Sequence, residues 1–451
     1  MIRAPARAAL DVTVLVLLGA ASIGVTLWVG EELDPGDFGR RQAVLAGVIV
    51  GVLLVYAASA GWVLLRRPPR SALLVVVLVV AAILRLSLAF GEPVLSNDVY
   101  RYVWDGRVQA NGINPYRHPP SDPALAPLRD EKIYGHLNRY EARTAYPPVA
   151  EGLFFGLYRL HPDSVRSMKL TFALIDLAAV GLLALLLARL KRPPELALVY
   201  GWHPLAVFEI AGTGHVEGVA VLLVLAATTA AMVRRSVLTG VLLAASALVK
   251  PYALVLGPAL LRRGRDLLAG AAAVVATVAL AYLPYAGAGR HALGYLPEYL
   301  REEGFISGTR FYLLGLLDSH PSSFATAAYV VVASGILLAL GVAFLRAPPS
   351  SPAEFPTRAL WMFSALFVLT SPTYPWYALL AVALLPLARG LVRVPAAVIS
   401  LTAPFLYLHI SVGAHPAWPR HLVYGGSAVA LAATALSATG RARTRRRLRR
   451  S

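Results

Sequence analysis

Apolar runs of about twenty residues recur along the chain. The first three span residues 9–30, 42–65 and 71–90. Each is long enough to cross a bilayer as one helix. No other feature narrows the fold as far, because backbone polar groups in hydrocarbon must be satisfied internally, which leaves helices or closed barrels. A barrel would alternate in short segments, and that pattern is absent. A soluble protein of 451 residues would also carry more than 15% charged residues, and here 57% are hydrophobic. The expected fold is all-α, a polytopic transmembrane helical bundle. With no cysteine in the chain, disulfides, thiolate metal sites and cysteine nucleophiles are excluded.

The net charge of +18 is mostly arginine. It lies in short clusters between apolar runs and in a basic tail, residues 440–451, that includes Arg441, Arg443, Arg445, Arg446 and Arg447. This is a positive-inside pattern with an anionic-lipid-binding tail, so membrane lipids are expected partners and nucleic acid is not. The run at 9–30 is too long for a signal-peptide core and reads as a retained span. Keeping every basic cluster inside then threads the chain. Residues 31–34 face outward, a basic loop at 66–70 lies inside, and 71–90 delivers residues 91–168 outside as the first large external loop. Within that loop, 149–160 reads as an in-plane amphipathic helix, since a crossing there would put Lys191 and Arg192 outside. The run 237–261 has to break at Lys250-Pro251 for Arg262 and Arg263 to stay inside. About fourteen crossings result, in one domain, residues 1–451.

The first external loop contains the most informative polar stretch, residues 96–117, SNDVYRYVWDGRVQANGINPYR. It reads as a helix capped by Ser96 or Asn97 and stopped at Asn111-Gly112. Asp98, Arg101, Tyr102, Asp105 and Gln109 then share one side. Ile113-Asn114-Pro115-Tyr116 reads as a turn. Asp98 and Asp105 stand about 10 Å apart along the axis, too far to chelate one ion without other ligands. Asp98, freer at the helix start, suits a general base. Asp105 suits pairing with Arg101 or Arg107, and an N-cap or loop ion pair is the plainer reading of either carboxylate.

Threading brings further polar residues to the same membrane face. His215 and Glu217 follow a glycine-rich turn and suit sugar hydroxyls, an ion, or a helix cap. Lys250 interrupts an apolar run, where an unpaired lysine costs on the order of 3 kcal/mol. It suits a lipid phosphate or an ion pair with Asp98 or Glu217. Arg310 lies in the second external loop. Tyr374, Trp376 and Tyr377 suit stacking on a sugar or an aromatic belt. Arg85, Asp176 and Glu209 sit in or beside apolar runs as buried pairing residues. No Walker loop, dinucleotide fingerprint, HExxH or GxSxG is present. Without a cytoplasmic catalytic domain, a lipid-linked donor fits better than a soluble nucleotide.

Five motifs carry a resemblance. They are Asp98-Val99-Tyr100-Arg101-Tyr102-Val103-Trp104-Asp105-Gly106 with Gly112-Ile113-Asn114-Pro115-Tyr116; Tyr146-Pro147-Pro148; Gly212-Thr213-Gly214-His215-Val216-Glu217; Lys250-Pro251-Tyr252; and Pro375-Trp376-Tyr377. Over residues 70–390 the chain resembles the GT-C superfamily of polyprenyl-phosphate-sugar-dependent glycosyltransferases, and within it the bacterial mannosyltransferase-like group. It departs from that pattern at His203, where asparagine is expected before Pro204, and at Glu217, where aspartate is common.

The resemblance implies inverting transfer of a hexose, mannose foremost, from polyprenyl phosphate to a hydroxyl of a glycolipid or glycan, on the extracytoplasmic face of the plasma membrane. Asp98 would be the catalytic base. Arg101, Tyr102, Asp105, Asn114, Tyr116, His215, Glu217, Lys250, Arg310, Tyr374, Trp376 and Tyr377 would be substrate-binding candidates. Lys250, Arg101 or Arg310 would steady the leaving phosphate, so no cofactor or metal is required, although a divalent ion is compatible. A transporter or flippase of lipid-linked sugars is the competing class, and an inactive membrane subunit a third.

Overall fold

The computed structural model describes residues 4–32, 42–66, 71–410 and 416–448. Residues 33–34 of the expected outer turn and 67–70 of the expected basic loop lie outside the described residues, as do the side chains of the arginine tail. All regular structure among the described residues is helical. Among the described residues, eight helices are long and apolar enough to cross a membrane, from Ala9–Val29 through Val165–Arg189 and Ser323–Arg346 to Trp418–Ala438. Four more apolar helices, Glu217–Met232, Ser236–Ala247, Pro251–Leu260 and Pro375–Leu384, are shorter.

The expected tally of about fourteen therefore rests partly on segments that prolines shorten. Residues 194–212 form a series of short pieces: Pro194–Ala197, Leu198–Gly201, Pro204–Ala206 and a π-helical turn, Val207–Gly212. Each proline removes a backbone donor and restarts the helix. Such irregular backbone is tolerated in a membrane protein where protein buries it, and residues 203–217 are all buried.

Charged residues inside the bundle are paired. Arg85 donates to Asp176 at 2.7 Å and to the Gly201 carbonyl at 2.6 Å, and Tyr200 donates to the same aspartate. Lys169 donates to the carbonyls of Leu88, Gly91 and Glu92, closing off the end of Ser71–Ala89. Basic loops distant in sequence also meet: Arg192 donates to the Ala388 carbonyl at 2.7 Å, beside Arg389.

The first-loop helix spans Asp98–Ala110, with the Ser96 hydroxyl accepting from the Asp98 N–H at 3.2 Å. It ends at Asn111 before Gly112, whose φ is +75°. Rather than presenting one polar face to water, it is buried from Val99 to Val108. The amphipathic helix Pro148–Leu160, 13 residues long, is too short to cross a bilayer and packs against it. They pack tightly at Gly106, where a Cβ would stand 2.7 Å from the Phe154 carbonyl oxygen and 2.7 Å from Tyr158 Cβ. Gly106→Ala is thus expected to destabilise the protein by about 1–3 kcal/mol, read as a lower midpoint of thermal unfolding in detergent. An unchanged midpoint would mean that the two helices separate freely.

Candidate active site

A cavity of about 830 Å³ is lined by the start of the first-loop helix, the Tyr146-Pro147 bend, the Lys250-Pro251 break and the aromatic turn at 374–377. Asp98, Lys250, Arg310, Tyr374, Trp376 and Tyr377 all line it, although they are up to 279 positions apart in the sequence (377 − 98). Proline breaks account for much of this convergence. Lys250 precedes Pro251 in extended conformation, which turns its side chain out of the helical run.

Asp98 is the carboxylate of this cavity. Its Oδ1 accepts from Asn138 at 2.9 Å and its Oδ2 from the Tyr146 hydroxyl at 3.2 Å. Behind it, His215 Nε2 stands 3.8 Å from Oδ2, and the Asp98 side chain keeps 26% of its surface exposed. Burial pushes the Asp98 carboxyl up. His215, Asn138, Lys250 and Tyr146 together outweigh burial and hold it below the ordinary aspartate value of 3.8. Asp98 is therefore ionised at neutral pH and able to accept a proton.

The cations around the cavity are held by carboxylates. Lys250 Nζ is 2.6 Å from Glu217 Oε1 and 5.3 Å from the centre of the Tyr146 ring. Arg310 pairs with Glu303 at 2.6 Å, donates to the Thr370 carbonyl and lies 4.2 Å over the Phe305 ring. Arg139, on the cavity wall, pairs with Glu302 at 2.6 Å. Tyr374 and Trp376 stack with centroids 4.3 Å apart, and Tyr377 bonds Tyr299 through their hydroxyls at 2.9 Å.

Other sequence candidates fall behind this surface. His215 and Glu217 are buried, one against Asp98 and the other against Lys250. Arg101 and Asp105 are paired with each other at 2.9 Å. Arg101 also donates to the Ala142 carbonyl. Burial raises the Asp105 carboxyl despite Arg101, and burial with Asp105 alongside pushes the Glu151 carboxyl well up. Tyr102 stacks on Phe154 at 4.4 Å. Asn114 donates to the Tyr285 carbonyl and Tyr116 to the Tyr146 carbonyl, fixing the bend that carries Tyr146. Asn138, Arg139 and Tyr299 were not singled out from the sequence. The one available signal was Arg139 itself, a cation in a loop that threading puts outside. Among the described residues, no group of three or more His, Asp or Glu side chains is arranged to hold a metal ion.

Comparison with known proteins bears on this arrangement. No curated protein matches the chain. The family model described as alpha-(1->6)-mannopyranosyltransferase, N-terminal domain, matches residues 10–262. That match covers more than half of the chain and includes Asp98, His215, Glu217 and Lys250. This multi-helix membrane protein is a mannosyltransferase, with a sugar donor and a glycan acceptor, and belongs to the alpha-(1->6)-mannopyranosyltransferase family.

Proposed function

We propose that the chain moves mannose from a polyprenyl-phosphate donor to a hydroxyl of a glycolipid or glycan, with inversion, on the extracytoplasmic face of the plasma membrane. The observation that carries this reading is the ionised Asp98 carboxylate in a cavity that also holds Lys250, Arg139 and Arg310. In a single displacement, Asp98 takes the proton of the acceptor hydroxyl as its oxygen bonds the anomeric carbon. The bond from that carbon to the phosphate oxygen breaks, and its electron pair leaves on the phosphate. Attack from the side opposite the leaving group inverts the configuration.

A departing phosphate gains charge, and fixed cations in a cavity with little water stabilise that charge strongly. Lys250 is the best placed, since it lines the cavity at the bend nearest Asp98's partner Tyr146. Arg139 and Arg310 supply further positive charge. Arg101, bonded inward to Asp105, is not needed for this step. The aromatic turn at Tyr374 and Trp376 offers ring faces to the sugar and the first isoprene units. The outer-face assignment rests on the basic loops meeting around Arg192 and Ala388, in keeping with the positive-inside rule.

The test is reconstitution of the purified protein in vesicles with labelled polyprenyl-phosphate mannose and glycolipid or oligomannoside acceptors. A mannosylated acceptor is the expected product. Label crossing the bilayer with no product formed would favour a flippase instead.

A further inference from the structure

His215 lines no part of the cavity and is 1% exposed, so it has no route to touch a substrate. It is nonetheless set between two carboxylates. Its Nδ1 is 3.0 Å from Glu209 Oε2, and its Nε2 is 3.8 Å from Asp98 Oδ2. Glu209 is held in turn by the Tyr407 hydroxyl, which donates to its other oxygen. The Trp376 ring packs against His215 at a steep angle, with ring centroids 4.5 Å apart.

The backbone is shaped to bring this about. Glu209 lies on the π-helical turn Val207–Gly212, a geometry that recurs at functional sites. Gly214 follows at φ +87°, and a Cβ there would meet Val99 Cγ2 at 3.0 Å and Lys169 Cγ at 2.8 Å. Only glycine lets this turn lie directly against the first turn of the Asp98 helix.

We infer that His215 is a positioning residue for Asp98. Clamped by Glu209, it presents a proton-bearing, positively charged ring to the rear of the catalytic carboxylate, keeping that carboxylate ionised and fixed in direction. The inference rests on the general-base reading of Asp98. With a carboxylate facing each nitrogen, the ring carries a proton on both and is no acceptor for the proton Asp98 takes.

The groups facing the pair are few. Asp98 meets Asn138 and Tyr146 from the external loop, with Lys250, Tyr102, Tyr374 and Tyr407 in electrostatic reach. His215 meets Glu209 and Glu217 besides Asp98. Lys250 is committed to Glu217 at 2.6 Å, whereas His215 turns its Nε2 edge toward Asp98 and its Nδ1 edge toward Glu209.

The experiment measures pH–rate profiles of reconstituted protein with polyprenyl-phosphate mannose, for wild type, His215→Gln and Glu209→Gln. His215→Gln is expected to move the acid limb of kcat upward by roughly one pH unit. It is also expected to lower kcat about tenfold at neutral pH, with KM for the donor little changed. Glu209→Gln, which keeps the side-chain shape, should shift the limb the same way by less, and it serves as the readout if His215→Gln does not fold. A folded variant whose kcat drops with the acid limb unmoved, or whose KM alone changes, would overturn the inference. If Asp98→Asn transfers as well as wild type, the general-base reading itself fails. If Asp98→Asn is inactive and neither variant shifts the limb, only the role of His215 fails.

Discussion

Asp98→Asn is expected to slow mannosyl transfer by about a hundredfold or more while leaving the fold intact. The carboxylate's direct partners are Asn138 and Tyr146, both hydrogen-bond donors, and an asparagine oxygen satisfies either of them. What the substitution removes is the capacity to take a proton from the acceptor. The change should therefore fall on kcat, with KM for the donor nearly unchanged. Because Asp98 is held below its ordinary value of 3.8, its contribution to the rate is constant across neutral pH. That contribution is lost only as pH falls through the depressed value and the carboxylate protonates. Single-turnover transfer by the two proteins checks both points. Equal rates would make Asp98 a structural cap.

Lys250→Met is expected to have the largest effect on stability. Lys250 Nζ lies 2.6 Å from a Glu217 side chain that is 0% exposed. Removing the lysine leaves a buried carboxylate unpaired, a loss of about 3–5 kcal/mol. The second substitution of a Lys250→Met, Glu217→Gln double variant relieves most of that loss by removing the stranded charge. Transfer should stay low in the double variant, because the cation facing the leaving phosphate is still missing. Thermal unfolding in detergent beside a transfer assay separates the two roles. A single variant as stable as wild type would show that solvent reaches Glu217. A double variant with normal transfer would show that Lys250 serves the fold alone.

Some of this was legible in the sequence and some was not, for physical reasons. The bounds of the first-loop helix follow from local chemistry at Ser96 and at Asn111-Gly112, and both ends fall as expected. The short amphipathic helix and the break at Lys250-Pro251 are local too, and both are present. Crossing number is harder to read, because hydropathy sums over residues whose helix a proline has interrupted, as at Pro204.

Which residues of the helix line the cavity was not legible at all. Periodicity puts Asp98, Arg101 and Asp105 on one face. That face is buried along its length, and only its first residue reaches the cavity. Arg101 and Asp105 close on each other instead. The pairing of Glu209 with His215 was equally hidden. It depends on a π-helical turn that shifts side-chain direction away from the 3.6-residue period.

The central claim, base-assisted displacement from a lipid-linked donor, is tested most directly by the anomeric configuration and donor dependence of the product. Purified protein would be given β-configured polyprenyl-phosphate mannose in one reaction and a nucleoside-diphosphate mannose in another, each with the same oligomannoside acceptor. The account predicts an α-linked product from the lipid donor, by inversion, and none from the nucleotide donor. A β-linked product, or transfer from the nucleotide sugar at a comparable rate, would contradict it.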